Sequence, residues 1–179
     1  EETPSETTEE TVEETVSQAA LDLALANMNS SRQAAIDSDA EEYAPDYFDS
    51  LEEKYADLKA RAENGEDVTD ACNDLAKRYQ ALAAYVNALD AKETIDDYEL
   101  PPLAQAAYDK GCKELDDFET LFEDENSSAD DLLAKGTAAY ASFKTVLVAL
   151  YKDIAKDARS DALEAKKDAD SVKAAVSEK

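Results

Sequence analysis

The chain has 179 residues, 44% of them apolar, with 44 acidic against 18 basic side chains and a net charge of −26. That length suits one domain with a tail, and so negative a surface repels phosphate, which excludes nucleic-acid binding and electrostatic docking on anionic membranes. With no histidine there is no Ser-His-Asp or Cys-His arrangement and no imidazole metal ligand, and glycines at 65, 111 and 136 only cannot build a phosphate loop.

Glycine and proline are scarce, so few turns are written into the chain, which favours long helices over a sheet. Residues 1–16 are a Glu/Thr tract with seven Glu and no Lys or Arg. With almost nothing to bury, they read as a disordered acidic tether ahead of one helical domain over residues 17–179. The first helix is predicted from about Ser17 to Ser38, with Leu21, Leu25, Met28 and Ala35 on one face. Asp37-Ser38-Asp39 weakens it. Tyr43-Ala44 then leads into Pro45, whose fixed φ suits a first helical turn.

The second helix carries the stripe Tyr47, Leu51, Tyr55, Leu58 and Ala62 and stops at Asn64-Gly65. The third carries Val68, Ala71, Leu75, Tyr79, Leu82, Val86 and Leu89, with Asp67 as its N-cap. The same hairpin is then written again, residues 45–95 being the first copy and 101–151 the second. An offset of 57 carries the second helix's stripe onto Ala104, Tyr108, Cys112, Leu115 and Glu119. An offset of 61 carries the third helix's stripe onto Ala129, Leu132, Gly136, Tyr140, Phe143, Leu147 and Leu150. Only Glu119 breaks the pattern, and Phe118 and Phe122 cover that face. Tyr43 ahead of Pro45 and Tyr98 ahead of Pro101-Pro102 mark the two starts.

The acidic turn after Phe122 superficially resembles a calcium loop. Ala129 and Lys135 stand where an EF-hand needs Gly and Glu, so it reads as a turn with Ser127 or Ser128 capping the next helix. From Ser128 to about Val176 only Gly136 interrupts a helical pattern that would span about 73 Å at about 1.5 Å per residue. Ile154, Ala158, Ala162, Ala165, Ala169, Val172 and Val176 continue an apolar stripe. Residues 150–179 hold seven acidic and seven basic side chains, a neutral stretch in an acidic chain. This distal part, residues 152–177, is expected to pack on the first helix, on the far end of the third, or on another copy of the protein.

Cys72 and Cys112 would lie roughly 18 Å out of register if their helices pair antiparallel, beyond the reach of a disulfide, so free thiols are expected. No segment approaches the ~20 apolar residues of a membrane span. The chain opens on Glu-Glu-Thr-Pro with no Met, as a processed, exported chain would.

The expected architecture is therefore an all-α elongated bundle of about five helices, with a duplicated antiparallel hairpin and a long C-terminal helix. Tyr47, Tyr55, Tyr79, Tyr108 and Tyr140 fall on predicted core faces. If they converge they line a ligand groove between the hairpins; if not, each ring packs separately with its hydroxyl at the rim. No catalytic residue, cofactor or metal ligand set is expected. The contact residues expected are those five tyrosines with Ala158, Ala165 and Val172. The partner would be an unidentified protein or a second copy of the chain, and the alternative is a small or cationic ligand held by the tyrosines and flanking acids.

The segment from Ser31-Arg32-Gln33-Ala34-Ala35-Ile36 through Tyr43-Ala44-Pro45 to Leu58 resembles a family of small Ala-rich helical bacterial envelope lipoproteins with a Tyr-Ala-Pro junction. It covers about a sixth of the chain. The resemblance implies export to a bacterial cell surface, the periplasm or the medium, a non-catalytic role in protein–protein interaction or scaffolding, and a lipid-bearing N-terminal cysteine that this sequence does not contain.

Overall fold

The computed structural model describes residues 6–177 except Leu103 and Glu125, with side chains described from Gln18 to Lys173. Six helices follow one another: α1 (Glu6–Asp37), α2 (Ala40–Tyr43), α3 (Pro45–Glu63), α4 (Thr69–Asp96), α5 (Gln105–Glu123) and α6 (Ala129–Ser177). The described residues contain no strand, and the fold is an all-α bundle. The sixth helix, beyond the five expected, is the single turn α2. It forms because Asp39 adopts the left-handed conformation (φ 61°, ψ 34°) and turns the chain between α1 and α3. Aspartate is one of the few residues besides glycine that tolerates this region.

Several predicted boundaries are where the local chemistry puts them. Pro45 is the first residue of α3, and Gly65 takes φ 83° just beyond its end. Ser128 Oγ accepts the Asp131 amide (3.1 Å) and caps α6. Asp67 lies one position before the helix cap, Val68, and its carboxylate accepts the Thr69 amide (3.1 Å). The start of α5 differs from expectation. Helix begins at Gln105, not Pro101, because Pro101-Pro102 form a turn in which the Ala104 amide bonds the Pro101 carbonyl (2.8 Å). Proline lacks the amide a helix interior needs. The Glu/Thr tract, expected to be a disordered tether, joins α1 from Glu6 onward; residues 1–5 of that tether lie outside the described residues.

α4 is the centre of the bundle. It runs parallel to α1, with the Gln80 amide donating to Ser31 Oγ (2.9 Å), and parallel to α6, with Lys77 paired to Asp130 (2.7 Å). α3 runs antiparallel along α1 and α4, and α5 antiparallel along α4 and α6 (Tyr47 lies beside Tyr85, Phe48 beside Tyr79, and Tyr85 on Phe118). Enclosed on most sides, α4 buries Ala76, Ala81, Ala83, Tyr85, Ala88, Ala91 and Ile95 in addition to its predicted stripe. Within that stripe Ala71 is exposed and Leu89 half-buried.

The two hairpins pair differently. α5 and α6 lie close along their length, whereas α3 stands further from α4. The close approach follows composition. A Cβ at Gly136 would lie 2.8 Å from the Ala81 carbonyl oxygen, so α6 seats directly on the α4 backbone, and Gly111 admits the Phe143 ring against α5. At the positions in α4 and α3 that lie 61 and 57 residues earlier stand Leu75 and Lys54.

Every residue from Tyr151 to Lys173 is exposed. The expected cover by α1 or by the far end of α4 is absent, because α4 has ended at Asp96 and α1 leads toward the other end of the bundle. With α1, α4 and α6 all parallel, the leading turns of α1 and the distal half of α6 extend from opposite ends.

Candidate functional site

The five predicted tyrosines do not share a groove. Tyr79 is fully buried against Phe48, and its hydroxyl donates to Glu52 (2.6 Å). Arg32 grips the same carboxylate through two hydrogen bonds of 2.7 Å and lies over the Tyr55 ring. The Tyr55 hydroxyl donates to Asn29 (2.7 Å). Tyr47 stacks on Phe122 with centroids 4.0 Å apart. Tyr108 meets Phe143 edge-on and donates to Asp96, and Tyr140 lies beneath Lys144.

These rings are therefore core and rim packing, with a feature the spacing did not disclose. Buried hydroxyls require acceptors, and several of this chain's many carboxylates provide them. Glu52 serves Tyr79, Asp96 serves Tyr108, and Glu119 serves Tyr85 (2.7 Å). Tyr85, stacked on Phe118 at 4.5 Å, was missed by sequence reasoning. The available signal was Glu119 itself, the one acid inside an apolar stripe.

Burial alone would raise the Glu52 carboxyl, but the hydrogen bonds from Arg32 and Tyr79 outweigh it and hold the group below the usual glutamate range. Burial, with the Glu52 hydrogen bond, pushes the Tyr79 phenol far above its ordinary value. A carboxyl depressed in the folded state stabilises above its unfolded pKa and loses that contribution as pH falls through the folded value. We expect Glu52→Gln to be less stable than the parent by about 1–3 kcal/mol near neutral pH, since it removes a charge-assisted pair. That difference should close in urea titrations taken stepwise below the ordinary glutamate range. A difference unchanged by acid would assign the loss to shape and not to charge.

A groove of about 600 Å³ lies between α3 and α4, lined by Leu58, Leu75, Asp57, Asp74, Arg61, Arg78 and neighbours, none of them a tyrosine. Its arginines are engaged, Arg61 with Asp57 and Glu66, and Arg78 with Asp74 and the Ser127 carbonyl. Cys72 and Cys112 are free thiols, and burial raises both pKa values. Among the described residues no group of acids or cysteines is placed to hold a metal ion, and no helix is long and apolar enough to cross a membrane.

The surface that stands out is the free half of α6. Tyr151 is 53% exposed and Val172 65%, with Ile154 and Leu163 comparably bare. Ala158 and Ala165 lie between them, also exposed. The three contact residues predicted on this helix are thus on an open surface, whereas the five tyrosines belong to the bundle.

The fold and this surface define an acidic all-α bundle with one projecting helix. No family model, curated protein or solved structure matches the chain.

Proposed function

We propose that this is a non-catalytic interaction or scaffolding protein of a bacterial envelope or its exterior, and that the projecting half of α6 is its contact surface. One observation carries the reading: 23 consecutive residues, 151–173, form helix in which every residue is exposed, Tyr151, Ile154, Leu163 and Val172 among them. A helix without tertiary packing is marginal in water, so a partner is what would hold this one. The envelope setting rests on the resemblance around Tyr43-Ala44-Pro45 and on the polarity of the molecule. An anchor preceding α1 would sit at one end and the contact surface at the other.

The test uses benzoylphenylalanine placed at Ala162 or Val172 in the native host, with Asp57 in the bundle as control. Photo-adducts from the two α6 positions and none from Asp57 support the reading; their absence from α6 removes it. Ending the chain after Lys152 should leave thermal unfolding of the bundle unchanged, because every removed residue whose side chain is described is exposed.

A further inference from the structure

The exposed half of α6 carries a second pattern that names its occupant. Beginning at Val148, which is 52% exposed, apolar residues recur with alternating steps of three and four. Val148, Ala155, Ala162 and Ala169 take heptad position a; Tyr151, Ala158, Ala165 and Val172 take position d. All eight are apolar, the signature of a two-stranded seam.

The flanks of that seam are sorted by charge. Position e holds Lys152, Arg159, Lys166 and Lys173, all basic; position g holds Ile154, Asp161 and Asp168, with no base. Within one helix this sorting gains little, because like-charged pairs at helical spacing offset opposite ones such as Lys166 with Asp170. Asp153, Asp157 and Asp161 follow one another at i, i+4, as do Lys152 with Lys156 and Glu164 with Asp168, and like charges at that spacing repel. The arrangement becomes favourable when an opposite column lies alongside. In a parallel, in-register pair, g of one helix faces e of the next heptad on the other, so Asp161 meets Lys166 and Asp168 meets Lys173, twice each. An antiparallel pair would set e against e and g against g, base on base and acid on acid.

Resting on the reading of α6 as a contact surface, we infer that its occupant is a second copy of this chain, joined as a parallel, in-register two-stranded coiled coil over residues 148–172. The alanines let the helices approach closely and bury little area, so the association is concentration-dependent. The paired stretch adds no net charge of its own: residues 152–173 hold six acids and six bases. At physiological salt the repulsion between the two acidic bundles is confined to about 8 Å of their surfaces.

Chains with a single accessible cysteine, the buried Cys72 being left in place, test both partner and direction. In a Cys112→Ser background, Ala155→Cys and Ala169→Cys should each form disulfide-linked dimers with themselves under mild oxidation, and Ser160→Cys, on the outer face, should not. Disulfides absent from these chains alone but formed when Ala155→Cys is mixed with Ala165→Cys, the a-to-d contact of an antiparallel pair over residues 148–172, would overturn the inference. A parent chain that sediments as a monomer at all concentrations would overturn it too. If α6 photo-adducts in the host then consist of other proteins alone, the contact surface stands without self-pairing; with no adduct, both fall. The charge rule has its own control. Asp161→Lys/Asp168→Lys and Lys166→Asp/Lys173→Asp should each lose self-association and regain it when mixed, with bundle melting unchanged. Retained self-association in either variant alone counts against the pairing.

Discussion

Replacing Gly136 by leucine should destabilise the protein by about 3 kcal/mol, the upper range for forcing atoms into a filled core. The reason lies in what the new side chain would meet. A Cβ at this position comes within 2.8 Å of the Ala81 carbonyl oxygen and 3.3 Å of the Tyr85 amide nitrogen. Both are backbone atoms of the central helix, which cannot move without disturbing every helix packed on it. Gly136→Ala is the sharper experiment. On an open helix that exchange stabilises by about 1 kcal/mol. Here the enforced separation of α4 and α6 should reverse the sign, giving a net loss of about 1–2 kcal/mol within the usual cost of overpacking. Urea unfolding followed by circular dichroism at 222 nm decides it. A Gly136→Ala protein more stable than its parent would mean that the two helices do not approach as closely as described.

Phe118→Ala should cost about 3–5 kcal/mol, as expected for emptying a fully buried aromatic site. Phe118 is completely enclosed. It stacks on Tyr85 at 4.5 Å and lies 6.5 Å from Tyr47 and 5.9 Å from Phe122. Its removal therefore opens a cavity where α3, α4 and α5 meet and loosens the seat of Tyr85, whose hydroxyl is held by Glu119. The chain has no tryptophan and nine tyrosines, so the tyrosine near-ultraviolet circular dichroism band reports this junction. It should weaken in Phe118→Ala even where the far-ultraviolet helix signal persists, and Phe118→Leu should lose less because it refills most of the volume. An unaltered tyrosine band would place the ring outside the junction.

How much of this could be read from residues alone varies by element. α3 and the first 20 or so residues of α6 were legible because an apolar stripe at helical spacing meets a single neighbouring layer. α4 was only half legible. Its stripe through Leu75, Tyr79 and Leu82 is real, but its other faces are closed by alanines, and alanine gives the same signal on a buried surface as on an exposed one. The tyrosines were placed correctly on inward faces, yet spacing along a helix says nothing of where partners on other helices stand, so it did not pair Glu52, Asp96 and Glu119 with tyrosine hydroxyls. Glu52 and Glu119 are half-buried and hold tyrosine hydroxyls. The length of α6 was legible because nothing interrupts it. That its far half has no cover within the chain was not, since this depends on where α1 and α4 end relative to α6. The sorted charges beside Ala155–Val172 acquire meaning only once that helix is known to leave the bundle unaccompanied.

α6 is one unbroken rod of 49 residues, with no proline and no glycine after Gly136. A rod without a hinge transmits torque. A sideways load at the tip would bear first about 27 residues back, where the helix leaves the bundle at the buried Leu150, with a moment arm of roughly 40 Å at about 1.5 Å per residue. The place where α6 parts from its neighbours is therefore also the fulcrum on which a mechanical load on its free end bears.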